Sequence, residues 1–258
     1  MRPALHAEWT KLRTVAGPSW LLLGMIVATV ALGVAAISVV TCASAGCGGD
    51  LTRLSLLGVM LGQAPAAILA VLVISAEYSS GMIRTTLTAM PRRTTVLAAK
   101  AITLTAVVAA AGTIAVPGSL LAGRLLLPRH GFTAARGYPA LSLTDGSTLR
   151  ATIGSILYLT LIALLSLGIA AMVRSSAAGI GVILGLLYLL PIISQVIGDP
   201  HWQRRLEQIA PMSAGLTVQA TTDLHSLPLN PWAGLGVTAG WAAAALVAGG
   251  LLLRVRDA

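Results

Sequence analysis

Side chains able to do acid–base, nucleophilic or metal chemistry are few in this chain of 258 residues. The histidines are dispersed, at His6, His130, His201 and His225. None belongs to an H-E-x-x-H pair, the spacing that places two metal ligands on one helix face. Lys11 and Lys100 are the only lysines, and neither follows G-x4-G-K-[ST], so the chain has no Walker A loop for ATP phosphates. No G-x-S-x-G nucleophile elbow occurs either. The sequence therefore predicts no catalytic residue, no cofactor and no metal site, and a protein that is not an enzyme.

The two cysteines, Cys42 and Cys47, lie close together in a glycine-rich segment. If this segment faces an oxidising compartment, the pair can form a small disulfide loop. The alternative is two free thiols at the end of a helix. A zinc site would need further ligands, which the segment does not contain.

The apolar residues indicate the secondary structure that carries the few reactive side chains. Hydrophobic residues make up 56% of the sequence and charged residues 10%, against about 25% charged in a soluble domain. About 20 apolar residues in a helix cross the hydrocarbon core of a bilayer. Six runs without Asp, Glu, Lys or Arg reach that length, at residues 20–40, 54–76, 101–122, 151–173, 175–197 and 232–253. The sequence therefore predicts an all-α membrane protein with six transmembrane helices.

These runs form a single predicted transmembrane domain, residues 1–258. The spans are expected at about 18–41, 54–76, 96–122, 150–173, 175–197 and 232–253. Because only Arg174 separates the fourth run from the fifth, we predict a tight helical hairpin at Arg174–Ser175. Residues Ala43-Ser44-Ala45 have the form of a signal-peptidase site. The apolar run before them is longer than the roughly 7–15 residues of a signal sequence, so we expect a retained first span.

The positive charges predict the orientation. With the N-terminus inside, the inner segments 1–17, 77–100, 174 and 254–258 hold 10 Lys and Arg in 47 residues, whereas the outer loops hold 7 in 75. Cytoplasmic segments of membrane proteins carry this excess. We therefore expect a multi-pass plasma (inner) membrane protein with both termini in the cytoplasm. The net charge of +9 is then mostly a topology signal, and we expect the lipid bilayer as a partner but no nucleic acid.

A short amphipathic helix is predicted at residues 3–15, before the first span. Leu5, Trp9 and Leu12 recur at i, i+4 and i+7, which places them on one face. Such a helix would lie in the inner head-group layer, with Trp9 as its anchor. Glu8 and Lys11 lie off this apolar stripe. The alternative is a frayed N-terminus.

Polar groups inside the apolar runs are rare, and Gln63 and Gln195 are the only strongly polar ones. Ion-coupled transporters generally need ionisable groups within their spans, so the absence of charge from these runs argues against a secondary transporter. Small residues one turn apart allow close helix packing, and we expect it at Gly58-x3-Gly62, Gly181-x3-Gly185 and Gly236-x3-Gly240. A short outer helix is predicted over 200–210, and the mixed segment 211–220 could dip back towards the membrane.

The segment between the second and third spans has the pattern of a short cytoplasmic helix. Ser79 or Ser80 can cap its start, and Pro91 cannot continue it. An apolar stripe runs along it through Ile83, Leu87 and Met90, with Met82 beside it. From these residues alone, it could be a second helix bound to head groups.

The stretch Glu77-…-Gly81-…-Arg84-…-Leu87-…-Pro91-Arg92 resembles the cytoplasmic loop of ABC-2 type transporter permeases. Glu8-Trp9-Thr10-Lys11-Leu12-Arg13 is similar to the interfacial helix of actinobacterial members of that family. The six-span pattern extends the similarity over the whole chain. The neutral Tyr78-Ser79-Ser80 departs from many members, which carry a charged or polar cluster there, and this puts the details of an ATPase contact in doubt.

This resemblance implies a half-transporter that pairs with itself or with a homologous permease and with two copies of a separate ATP-binding subunit. The helix at 80–90 would be the coupling helix seated in a groove of the ATPase. Glu77 would lie at its hinge and pair with Arg84 or with a residue of a partner. The expected ATPase-coupling residues are Glu77, Gly81, Met82, Ile83, Arg84, Leu87, Met90, Pro91 and Arg92.

The expected function is ATP-driven export of a drug, an antibiotic or another amphiphilic compound. The direction of transport is implied by the resemblance alone. The alternative is a non-transporting scaffold or sensor that uses the same loop to dock a different cytoplasmic partner.

Overall fold

A computed structural model describes residues 2–42, 49–79, 93–136, 138, 141–142 and 144–255. All regular secondary structure in these residues is helical. Six helical stretches among them are long and apolar enough to cross a membrane: Ala16–Ser38, Val59–Tyr78, Thr94–His130, Gly146–Val173, Ser176–Val196 and Pro231–Val255. The predicted six helices of membrane-spanning length and composition are therefore present.

The described residues contain eleven α-helices, numbered in chain order. The N-terminal half contains α1 (Arg2–Thr14), α2 (Ala16–Ser38), α3 (Leu51–Ser55), α4 (Val59–Ser79) and α5 (Arg93–Leu126). The C-terminal half contains α6 (Gly146–Val173), α7 (Ser176–Leu184), α8 (Leu190–Val196), α9 (Pro200–Ile209), α10 (Pro211–Leu216) and α11 (Pro231–Val255). A π-helical turn, Gly185–Leu189, joins α7 to α8 into one span.

The predicted hairpin between the fourth and fifth spans is confirmed. Arg174 adopts a left-handed backbone conformation with φ 59°, and its N–H donates to the carbonyl of Ala170 at 3.0 Å. This conformation closes the end of α6 and allows the chain to reverse within two residues before α7 begins. The first part of the fifth span, α7, therefore contacts α6, and it also contacts α4.

Helix α6 lies at the centre of the bundle and packs against α4, α5 and α11. Its side chains Tyr158, Leu159, Ile162, Leu165 and Leu167 have no exposed surface. Contact with α11 is backbone to backbone, because a Cβ added to Gly168 would lie 2.5 Å from the carbonyl carbon of Ala245. Small residues at this crossing are what allow the close approach.

The three glycine pairs behave differently. At Gly58 an added Cβ would lie 1.7 Å from the carbonyl oxygen of Thr29, and at Gly62 it would lie 2.0 Å from Thr29 Oγ1. This pair therefore packs directly on α2, as predicted. The other two pairs have open space around them, with nothing within 4 Å of an added Cβ at Gly181, Gly185, Gly236 or Gly240.

The segment after the fifth span contains two helices with opposite surroundings. Helix α9 confirms the short helix predicted over 200–210 and has no buried residue. Helix α10 and the 3-10 turn Thr217–Gln219 are instead buried against α6 and α11. Ala214 and Val218 have no exposed surface, and Thr238 Oγ1 donates to the carbonyl of Pro211 at 3.0 Å. This segment, for which a dip back towards the membrane had been left open, packs into the bundle.

The ends of the six long helices form two faces. The α1 face contains α1, the end of α4, the start of α5 and the α6–α7 turn. The opposite face contains the connections after α2, α5 and α8. There the N–H of Cys42 donates to the carbonyl of His130 at 2.9 Å, and Thr221 Oγ1 donates to Asp50 Oδ1 at 2.7 Å. These contacts tie three connections of the opposite face together.

Candidate functional site

Four charged side chains from three helices meet at the α1 face. We call Glu8 and Lys11 of α1, Glu77 of α4 and Lys100 of α5 the charge cluster. Lys100 Nζ lies 2.7 Å from Glu77 Oε1 and 2.9 Å from Glu8 Oε2. Lys11 Nζ lies 2.6 Å from the same Glu77 oxygen and 3.4 Å from Glu8 Oε1. Each lysine therefore bridges both glutamates.

Three members of the charge cluster are removed from solvent. The side chain of Lys100 is 1% exposed, that of Glu8 is 6% and that of Glu77 is 7%, whereas that of Lys11 is 37% exposed. In the described part of the chain, these three are the only charged residues that are buried. Burying a charge is costly unless it is paired and hydrogen-bonded. Two positive and two negative charges make the cluster neutral as a whole, which meets that requirement.

The helices place these groups by simple geometry. Glu8 and Lys11 are three residues apart on α1 and therefore share one face. Glu77 lies in the last turn of α4, where the helix dipole favours nearby cations. Lys100, on α5, reaches the same end of α4. Its Nζ also donates to the carbonyl of Val73, one turn before Glu77, at 3.1 Å.

The charge cluster lies next to the apolar runs. Glu77 and Lys100 lie inside the long helices α4 and α5, each one residue beyond the runs 54–76 and 101–122. Glu8 was expected to lie off the apolar stripe of α1, and it is nevertheless buried, with 5% of its surface exposed. The third span was expected at about 96–122, and α5 begins three residues earlier, at Arg93.

The position of the charge cluster along the chain is informative. Helix α4 ends at Ser79 and α5 begins at Arg93. The ion pair between Glu77 and Lys100 therefore links α4, which precedes segment 80–92, to α5, which follows it. Segment 80–92 itself lies outside the described residues. Helix α1 bridges the two flanking helices through Glu8 and Lys11.

The last turns of α4 are also held from another side. The guanidinium carbon of Arg174, in the α6–α7 turn, lies 5.3 Å from the centre of the Tyr78 ring, a cation–π distance. Ser176 Oγ donates to Ser75 Oγ at 2.8 Å. The end of α4 is thus fixed to α1 and α5 by charge and to the α6–α7 hairpin by these two contacts.

Lys11 is the accessible charge of the cluster. Partial burial disfavours its charged form, but the hydrogen bond from Lys11 to Glu77 and the charges of Glu8 and Glu77 outweigh that effect, so the pKa of Lys11 is raised above its ordinary value. Its ammonium lines one end of a groove of about 440 Å³ between α1, α2 and α4. The walls of the groove are apolar, with Leu12, Pro18, Leu21, Leu69, Leu72 and Val73 among the lining residues.

A second polar group lies in the middle of the bundle. The hydroxyl of Tyr158 donates to Gln63 Oε1, and Gln63 Nε2 lies 3.1 Å from the carbonyl oxygen of Met60 and 3.2 Å from Met212 Sδ. The hydroxyl of Tyr188 donates to the carbonyl of Met60 at 2.7 Å. Gln63 therefore serves to join α4, α6 and α10. Gln195, the other polar residue predicted inside a span, is exposed on α8.

The remaining predicted site residues are the interfacial anchors, the two cysteines and the coupling residues of segment 80–92. Of the interfacial-anchor residues, Trp9 is 44% exposed and Leu5 and Leu12 are half-buried. Cys42 is buried and disulfide-bonded. Cys47, the other cysteine, lies outside the described residues, as do the coupling residues apart from Glu77: Gly81, Met82, Ile83, Arg84, Leu87, Met90, Pro91 and Arg92.

The site residues missed from the sequence are Lys100, Glu8 and Lys11. Lys100 falls within the third span expected at about 96–122, but no local pattern shows that its ammonium pairs with Glu77 and Glu8. No family model matches the sequence, and no curated protein matches it significantly. A function for this chain is therefore inferred from this geometry and from the resemblance of residues 8–13 and 77–92.

Proposed function

We propose that this chain is the membrane permease subunit of an ATP-driven ABC exporter of the ABC-2 type. It works with two copies of a separate ATP-binding subunit and with a second permease, either another copy of itself or a homologous chain. The observation that supports this function best is the buried pairing of Glu77 with Lys100, which joins the two helices flanking segment 80–92. ATP hydrolysis takes place in the partner, so this chain is not itself an enzyme.

The proposal explains why charges are buried at this position. A helix that docks on an ATPase can move the spans only if it is firmly connected to them. Breaking one member out of a buried charge pair leaves its partner uncompensated, at a cost of about 3–5 kcal/mol. A displacement of segment 80–92 is therefore passed to α4, α5 and α1 together. Helix α1 strengthens the connection between α4 and α5, because Lys11 pairs with Glu77 and Glu8 pairs with Lys100.

In this proposal the α1 face lies in the cytoplasm and the protein is in the plasma membrane. The density of Lys and Arg near the α1 face favours that orientation. The stripe Ile83, Leu87 and Met90 then faces a groove of the ATP-binding subunit, with Arg84 and Arg92 at its polar rim. The cargo is a drug, an antibiotic or another amphiphilic compound, consistent with spans that are mostly aliphatic.

Co-purification with a matched pair of variants tests this function. The chain is expressed with the genes that neighbour it and isolated in mild detergent, and the recovered ATP-binding subunit and its ATPase activity are measured. Leu87→Asp places a charge on the apolar stripe and should reduce recovery of that subunit at least fivefold. Thr88→Asp introduces the same charge at the next position, which the helical period of the sequence places off the stripe, and should leave recovery near the wild-type level.

Two results would refute the proposal. One is recovery of no ATP-binding subunit with the wild-type chain. The other is an equal effect of Leu87→Asp and Thr88→Asp, which would mean that the stripe has no special contact. Recovery of a different cytoplasmic protein through the same stripe would favour a scaffold or sensor.

A further inference from the structure

Helix α9, on the opposite face, exposes its apolar side. Trp202, Leu206 and Ile209 recur at i, i+4 and i+7, and Trp202 is 58% exposed and Ile209 57% exposed. The polar residues Gln203, Glu207 and Gln208 are only partly exposed, and Gln208 Nε2 donates to the carbonyl of Pro228 at 3.0 Å. A surface helix of a soluble protein shows the reverse arrangement, with its apolar side packed inward.

The chain on either side holds α9 at the ends of the long helices. Only residues 197–199 separate α9 from Val196, the last residue of the fifth span. At the other end, Ala210 is buried, and α10 packs into the bundle. Trp241 Nε1, ten residues after the start of α11, donates to the carbonyl of Ile209 at 2.9 Å. If the six helices cross the membrane, α9 begins at its surface and inclines towards the bundle, so that Ile209 lies deepest.

The accessible charges of α9 are positive. Arg204 and Arg205 are exposed, and the guanidinium carbon of Arg205 lies 5.9 Å from the centre of the Trp202 ring. Both nearby carboxylates are engaged within the protein. Glu207 accepts a hydrogen bond from Gln203 at 3.3 Å, and Asp199 caps the helix by accepting from the N–H of His201 at 2.8 Å.

We propose that α9 lies in the head-group layer of the membrane on the opposite face, and that Arg204 and Arg205 bind the phosphate of an anionic phospholipid. Trp202 and Ile209 enter the boundary of the acyl chains, as the apolar side of an interfacial helix does. The two guanidinium groups present planar sets of donors, which match phosphate oxygens. The inference depends on membrane insertion but not on the transport function proposed above.

Site-specific photo-crosslinking tests the placement of α9. The full chain is reconstituted into nanodiscs of phosphatidylcholine and phosphatidylglycerol, with p-benzoylphenylalanine in place of Ile209 or, as a control on the other side of the helix, in place of Glu207. We expect lipid adducts from position 209, detected by mass spectrometry, at least fivefold above those from position 207. Adducts to a second copy of the chain, or equal adducts from both positions, would overturn the placement.

Native mass spectrometry tests the recognition of charge. The variant R204Q/R205Q should retain at least threefold less phosphatidylglycerol than the wild type, with unchanged retention of phosphatidylcholine. Arg129→Gln removes another exposed arginine of the opposite face and should have little effect. Size-exclusion chromatography confirms that each variant is folded. Unchanged phosphatidylglycerol retention in R204Q/R205Q would overturn the assignment.

Discussion

Lys100 Nζ lies 2.7 Å from Glu77 Oε1, although the two residues are 23 positions apart and belong to different helices. Neither side chain is more than 7% exposed. Lys11 reaches the same carboxylate oxygen from α1, so one glutamate holds three helices together. The neutral balance of the charge cluster makes each member dependent on the others.

Removing the buried lysine should cost more stability than removing the accessible one. Lys100→Met leaves Glu8 and Glu77 partly uncompensated inside the protein and should destabilise it by about 3–5 kcal/mol. Lys11→Met should have a smaller effect, because its side chain is 37% exposed. Thermal unfolding in detergent, followed by intrinsic tryptophan fluorescence, measures both.

The double variant E77Q/K100M serves as the control for this comparison. It removes one charge of each sign and should recover part of the stability lost in Lys100→Met. Equal transition temperatures for the Lys100→Met and Lys11→Met variants would contradict the burial of Lys100 in the charge cluster.

The contribution of Lys11 should persist to high pH. Its pKa is raised from the ordinary 10.5, so the stabilisation is complete below about pH 10.5 and is lost only as the pH rises through the higher folded-state value. The difference in transition temperature between the wild type and Lys11→Gln should therefore be constant from about pH 7 to pH 9.5. A difference that already shrinks below pH 9 would show that Lys11 is not paired as described.

The packing of α4 on α2 gives a test at two glycines. Gly58→Ala should disrupt the bundle, because the new Cβ would lie 1.7 Å from the carbonyl oxygen of Thr29. Gly24→Ala, on α2, meets nothing within 4 Å and should be tolerated. The yield of monodisperse protein and its thermal stability are the measurements. Tolerance of both substitutions would mean that α2 and α4 do not approach so closely.

The orientation of the chain can be tested with impermeant thiol reagents. Arg92→Cys should be protected in whole cells and become reactive when the membrane is permeabilised, whereas Gly137→Cys should react in whole cells. The wild-type chain supplies the background. The reverse pattern of protection would place the α1 face outside the cytoplasm and remove the basis for an ATPase contact there.

Local sequence patterns predicted the parts of this fold that depend on local properties. The apolar runs located the six long helices, and the single Arg174 between two runs located their hairpin. Charge pairing between distant helices leaves no local pattern. Glu8 and Lys100 meet across 92 positions, and nothing in the periodicity of α1 indicates that Glu8 is buried. Lys100 falls within the third span expected at about 96–122, but its partners lie on neighbouring helices and could not be read from its own segment.

The segment after α9 was unpredictable for a related reason. Residues 211–219 mix small, polar and apolar types and follow neither a helical nor a strand period. Their burial depends on the close fit of Gly215 and Gly234 against neighbouring groups of α6, α10 and α11, such as the ring of Tyr158 and the carbonyl of Ala214. Such fits arise from tertiary packing and cannot be inferred from composition.

Hydrogen–deuterium exchange of the co-purified complex tests most directly whether the charge cluster links segment 80–92 to the bundle. Exchange is compared with and without a non-hydrolysable ATP analogue, in the wild type and in E77Q/K100M. We predict that the nucleotide changes exchange in residues 5–14, 70–79 and 80–92 together in the wild type, and only in 80–92 in the variant. The same response of all three segments in both proteins would contradict the account.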